Sequence, residues 1–274
     1  MSQAKKFGEQ DLISALGEIG SKLKAKISVY LIGGCAMTFM GAKAATKDID
    51  VVATSHHDAS LLIDVMKDSG FVRVNLPGKE YRSLDATAIM ERPNKMRFDI
   101  FTRKVCGKLE IGEKMQSRAA VYRTFGNLEV CLMSGEDILL FKGMTDRMAD
   151  LDDMLVLVQR GIDWSIVRDE CFSQNKSAQW ADLLGTKLLD LRERHGIRTP
   201  IIKEILDKAD MDLLERSFRK ILGDREMNFK EIADAVLQRF GYSQSWTRNQ
   251  IKVLEKRGKI KRRKEGRKNL FFMK

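Results

Sequence analysis

A chain of 274 residues is long enough for a sizeable core and for two or three domains of ordinary size. Hydrophobic residues at 43%, charged residues at 32% and only 3 prolines exclude a disordered, collagen-like or membrane-embedded class. The net charge of +11 is uneven: Tyr242 to Lys274 carries 12 Lys or Arg against Glu255 and Glu265, a balance of +10, while the rest of the chain stands near +1. A basic terminal unit on an almost neutral body points to a polyanionic partner, most often nucleic acid. No apolar run approaches the roughly 18 residues that span a bilayer, and the start reads as an amphipathic helix without a signal-peptide stretch. The expected compartment is the cytoplasm, with no membrane partner. Cys35, Cys106, Cys131 and Cys171 stand singly, without zinc-site or disulfide spacing, and are expected as reduced thiols.

In chain order, Leu12, Ile13, Leu16, Ile19 and Leu23 recur at helical spacing and predict a first helix. ISVYLIGG is a β-branched strand ending at Gly33 and Gly34, and CAMTFMGAK a short helix stopped at Gly41. KDIDVVATS predicts a second strand and ASLLIDVMKDSG a helix with Gly70 as its C-cap. FVRVNL, TAIMER, MRFDIFTRK and GNLEVCLM are further strands, giving an expected sheet of four or five. After Ser134 the pattern turns helical, from GEDILLFKGMTDRMADLDDMLVLVQRG through IDWSIVRDECF and SAQWADLLGTKLLDLRERHG to MDLLERSFRKILG. The turn-forming and charged residues near Gly223 mark a last boundary. The expected division is 1–134, an α/β catalytic unit, 135–224, a helical region completing its cleft, and 225–274, a basic terminal domain.

Three acids carry the chemistry. Asp48 and Asp50 lie two apart on a strand, so both point to one side while Ile49 and Val51 enter the core. Asp99 repeats the arrangement between Phe98 and Ile100 on a later strand. Converging carboxylates repel and raise one another's pKa unless divalent cations reverse the balance. Two magnesium ions about 4 Å apart would bind a triphosphate there and acidify an attacking hydroxyl. The turn at Gly33 and Gly34 lets backbone approach the phosphates closely. Within GEDILLFKGMTDRMADLDDM, read as one helix, Lys142, Asp146, Asp150 and Asp153 fall on about 80° of arc. His56, His57 and His195 have no metal-ligand spacing and read as surface or loop residues.

On these residues the sequence resembles the DNA polymerase beta-like nucleotidyltransferase superfamily. The segment LIGGCAMTFMGAKAATKDIDVV is similar to the glycine motif and Asp-x-Asp strand of its small bacterial and archaeal branches, toxin-antitoxin members included. The resemblance covers roughly residues 10–160. It implies a mixed-sheet nucleotidyltransferase fold of the α+β class, with Asp48, Asp50 and Asp99 as catalytic ligands of magnesium or manganese. It also implies Gly33 and Gly34 at the nucleotide phosphates. Many members have Ser after the first glycine, so Gly34 lacks that hydroxyl. Lys142, Arg147, Asp150 and Asp153 match the Lys and Arg-x-x-Asp-x-x-Asp of the toxin-related branch; Lys142 would neutralise phosphate, and Asp150 or Asp153 would orient the acceptor or act as base.

At the C-terminus, FKEIADAVLQRF and SQSWTRNQIKVLEKRGKI read as two helices, the second capped by Ser243 or Ser245 and stopped at Gly258. KIKRRKEGRKNLFFMK then alternates into a hairpin around Glu265 and Gly266. This order resembles a winged helix-turn-helix, with Trp246 to Lys256 as recognition helix and Arg262 to Lys268 as wing. Arg248, Asn249 and Lys252 would meet bases or phosphates, and Arg262, Arg263, Lys264, Arg267 and Lys268 the backbone. The expected partners are a nucleoside triphosphate and DNA or RNA, with a second copy of the chain or an antitoxin compatible with both. Two other functions stay open: a regulator that senses nucleotide without turnover, and the toxin of a toxin-antitoxin pair.

Overall fold

The computed structural model describes residues 5–74, 85–145, 147–266 and 268–274. The chain forms two compact units, Met1–Ile202 and Lys203–Lys274.

The first unit opens with α1 (Glu9–Lys22), β1 (Ile27–Ile32), α2 (Gly33–Phe39), β2 (Asp48–Ala53) and α3 (His56–Asp68). There follow β3 (Val72–Arg73), β4 (Ala88–Glu91), β5 (Arg97–Thr102), β6 (Lys104–Val105), β7 (Leu109–Glu110), α4 (Glu113–Arg118), β8 (Ala120–Phe125) and β9 (Leu128–Leu132). The main sheet runs β3-β4-β5-β2-β1-β9-β8, with β6 and β7 attached beyond the end of β5. β2 pairs parallel with β5, and β1 with β9, whereas β1 and β2 run antiparallel, so the sheet is mixed and the class α+β. Its interior rests on Val29, Leu31, Ile49, Val51, Phe98 and Ile100, all fully buried.

The sheet is wider than the expected four or five strands. β8 was illegible because AVYRTF is largely exposed and lacks a period of two; it is an edge strand, kinked between Val121 and Arg123. β6 and β7 have two residues each, too short for any periodicity. Of FVRVNL only Val72 and Arg73 form strand, and its Asn75 and Leu76 lie outside the described residues.

The helical part comprises α5 (Gly135–Gly143), α6 (Ala149–Gln159), α7 (Trp164–Ser173) and α8 (Ser177–His195). Ser134 caps α5 by accepting from the Asp137 N–H. The reading of residues 135–154 as one continuous helix is corrected: it breaks after Gly143, where the Met144 and Thr145 N–H groups turn back onto Phe141 and Lys142 carbonyls. An ion network ties α5 and α7 to α4, with Arg118 at 2.6 Å from both the buried Asp137 and the buried Glu170. Among the described residues no helix is long and apolar enough to cross a membrane.

The second unit holds α9 (Ile202–Leu222), β10 (Met227–Asn228), α10 (Phe229–Phe240), α11 (Gln244–Lys256), β11 (Ile260–Glu265) and β12 (Lys268–Met273). Phe218, Ile221 and Leu222 of α9 share one core with Ile232, Ile251, Leu254, Ile260 and Phe271. The division between units therefore falls at the first residue of α9, whereas the turn at Gly223 follows that helix. Turn chemistry at Gly223 marks the end of a helix, and only packing shows which unit that helix joins.

Candidate functional site

β2 and β5 bring the three acids to one face. In their parallel register Asp50 stands beside Asp99, and Asp48 beside Arg97. Asp99 is 1% exposed, while Asp48 and Asp50 are half-buried. Burial, then repulsion from Asp48 and Asp99, pushes the Asp50 pKa far above the usual carboxylate range, with Arg147 and Lys142 opposing it. Burial also raises Asp99; the Arg97 guanidinium works against that rise and Asp48 adds to it.

Arg97 is the residue the sequence reading missed. Its guanidinium pairs with Asp48, and its Nε lies 2.9 Å from Asp99 Oδ1 without the alignment of a straight hydrogen bond. The signal was present: Arg97 precedes Asp99 by two on a strand and so shares its face. Hard carboxylate oxygens with under-balanced charge suit magnesium or manganese. As the side chains stand, however, no three Asp, Glu, His or Cys residues among those described gather closely enough to hold an ion, and Arg97 pairs with two of the acids. The donor chemistry fits the ions, and Arg97 is the cation already paired with two of the carboxylates.

The glycine turn adjoins this face. Gly33 has φ +62°, and a β-carbon there would collide with Asp50 Oδ2 and lie 3.3 Å from its Cγ. A β-carbon on Gly34 would lie 2.9 Å from the Thr46 hydroxyl and 3.8 Å from the Lys43 ammonium. Thr46 Oγ1 thus occupies the space of a side chain at position 34, donating to the Asp48 carbonyl at 2.8 Å.

The second half of the motif is brought together by two helices folded on each other. Lys142 is buried, with its ammonium 2.9 Å from Asp150 and 2.6 Å from Asp153. Burial works against its charge, but Asp150 and Asp153 outweigh burial and raise its pKa. Burial likewise opposes ionisation of Asp150, yet Lys142 and the Thr145 hydroxyl hold its pKa below normal. Lys43 places its ammonium 2.8 Å from both oxygens of Asp153. Arg147 lies 3.3 Å from Asp150 but leaves 69% of its side chain exposed, and its positive charge acts on Asp50 and Asp99. The loop that carries Arg147 is fastened at its carbonyls, Lys108 donating to Met144 and the buried Lys187 to Arg147 at 3.0 Å. Lys142 is thus buried on its carboxylates, whereas Lys43 and Arg147 pair with Asp153 and Asp150 from partly exposed positions. Neither Lys43 nor the fastening lysines has a periodic signal in the sequence. Asp146 lies outside the described residues.

Cys35, Cys131 and Cys171 are buried and Cys106 partly so, all of them free thiols. Burial raises the Cys35 thiol, which lies 3.1 Å from the Ile32 carbonyl. His56 and His57 begin α3 on its exposed side, and His195 sits 3.8 Å from Asp152.

In the second unit, α11 buries Thr247, Ile251 and Leu254 and exposes Arg248, Asn249, Lys252 and Lys256 on the other side. The Arg248 guanidinium rests 4.5 Å over the Phe229 ring. In the hairpin Arg262 pairs with Glu255 at 3.5 Å and Arg263 with Glu226 at 2.5 Å, while Lys264 and Lys268 are exposed. Arg267 lies outside the described residues. No family model matches the chain, and no curated protein matches it either.

Proposed function

We propose that the first unit transfers a nucleoside monophosphate from a nucleoside triphosphate to an acceptor, with magnesium or manganese, and that the second unit binds nucleic acid as a winged helix. The observation that carries the reading is the register of Asp50 beside Asp99, two acids raised in pKa by burial and by neighbouring carboxylates, next to a turn where Gly33 has a positive φ and no room for a β-carbon. Asp48, Asp50 and Asp99 would hold two divalent ions, which supply positive charge against the triphosphate and acidify the attacking hydroxyl.

Gly33 and Gly34 draw the backbone against Asp50 and Thr46, which sets the start of α2 beside the acids where the phosphates would lie. Arg147 and Lys43 screen the triphosphate charge, a role the sequence reading gave to Lys142. Lys142 instead fixes Asp150 and Asp153, which orient Arg147 and Lys43 through their ion pairs. RNA ends, a protein side chain or a small molecule all suit the acidic face as acceptor, and the basic second unit favours nucleic acid.

The test is incubation with each labelled nucleoside triphosphate, magnesium, and total cellular RNA or protein. Label transferred by the wild type and lost in Asp50→Asn supports the reading. Nucleotide binding without transfer under any condition would replace it with a nucleotide-sensing regulator, a reading favoured by the hold of Arg97 on Asp48 and Asp99.

A further inference from the structure

An aromatic stack stands at the turn between α10 and α11. The Tyr242 ring lies face to face with Trp246, centroids 4.0 Å apart and planes 18° from parallel. Trp246 is wedged against the buried core of the unit, so the pair is anchored from beneath, while Tyr242 remains 47% exposed. Tyr242 makes no hydrogen bond among the described residues. Phe240, 36% exposed, lies across Gly241 from it in sequence.

The charge on the stretch of chain that carries this stack is of one sign. Between Asp234 and Glu255 the chain carries Arg239, Arg248 and Lys252 and no acid. All three are exposed, and none has an ion pair among the described residues. The hairpin arginines differ, since Arg262 and Arg263 are already paired with Glu255 and Glu226. The uncompensated positive charge of the helices thus falls on the same stretch of chain as the aromatic stack. An aromatic plane edged by cations accepts a base from one side and its phosphates from the other, and a base is free to stack there only when it is unpaired.

We propose that Tyr242, backed by Trp246, is a stacking platform for an unpaired base, so that the second unit binds single-stranded nucleic acid or a strand end in preference to continuous duplex. The proposal rests on the nucleic-acid reading above and narrows its ligand. A protein partner is disfavoured because the stack lies within an acid-free stretch that carries three unpaired cations.

The experiment uses the full chain and fluorescence anisotropy with a labelled oligouridylate of about twelve nucleotides, the matching DNA strand, and a blunt duplex of the same length. Tyr242→Ala is expected to weaken strand binding about tenfold or more and to leave duplex binding and the salt slope unchanged, while Tyr242→Phe, which keeps the ring, binds like the wild type. An alanine variant that binds strands normally, or that loses strand and duplex equally, would overturn the platform. So would a phenylalanine variant as weak as alanine, since the hydroxyl and not the ring would then be at work. A change in oligomeric mass on Tyr242→Ala, with strand binding intact, would assign the face to a second copy of the chain. Duplex binding alone by the wild type overturns the platform and leaves the nucleic-acid reading standing; no binding to any probe removes that reading itself.

Discussion

The α-carbon of Gly33 and the carboxylate of Asp50 are in such close approach that no β-carbon fits between them. The first turn of α2 and the second acid of β2 are thereby locked into one relationship, with Gly33 at φ +62°, where L side chains are strained. Gly33→Ala should lower stability by about 1–3 kcal/mol. Truncating Asp50 to Ala in the same chain removes the collision but not the strain, so the double variant should recover part of the loss. A double-mutant cycle by urea denaturation reads this coupling. Additive losses would show that the two residues do not meet.

Asp50 is raised from 3.8 to about 8, and the sign of its effect on stability follows. A carboxylate whose folded pKa exceeds its unfolded one costs nothing below pH 4 and destabilises the fold increasingly as pH rises toward 8. In chelator, Asp50→Asn should therefore melt higher than wild type at pH 7, on the order of 5 °C, with the difference shrinking toward pH 4. Differential scanning fluorimetry across that range checks it. A difference that grows on acidification would contradict the raised pKa.

The parts of this site legible in the sequence are those with a local period. Alternation places Asp48, Asp50 and Asp99 on one face, and the same rule applied to Arg97 would have revealed the cation among them. Lys142, Asp150 and Asp153 do come together, but by the folding of α5 onto α6 and not along one helix. A break after Gly143 is invisible to hydrophobic periodicity, which continues across it. Lys43 and Lys187 reach Asp153 and the Arg147 carbonyl over separations of 110 and 40 residues, contacts that only the tertiary fold defines.

Arg97 is the built-in counterion of Asp48 and Asp99. Removing one partner of a buried pair leaves the other charge uncompensated. Arg97→Gln should therefore lower the melting temperature at pH 7, and by less at pH 5, where Asp99 takes up a proton. Manganese should restore more stability to Arg97→Gln than to wild type, since the ion then meets carboxylates with no competing cation. If manganese shifts both proteins equally, Arg97 does not compete for the ligands.

The hairpin offers a sharper test of where nucleic acid meets positive charge. Glu255 and Glu226 already offset Arg262 and Arg263, whereas Lys261, Lys264 and Lys268 are exposed and make no ion pair among the described residues. Each phosphate neutralised on duplex DNA adds about 0.9 to the slope of log affinity against log salt. Lys261, Lys264 and Lys268 changed together to Ala should flatten that slope by up to about 2.7 if all three meet phosphates, and weaken all sequences alike. Arg262→Ala with Arg263→Ala should change it less, because each loss also frees an acid that had been paired. Titrations of one duplex between about 50 and 200 mM salt separate the two variants. If the arginine variant flattens the slope more than the lysine variant, Arg262 and Arg263 must exchange their acids for phosphates on binding, and the ion pairs seen here belong to the free protein alone.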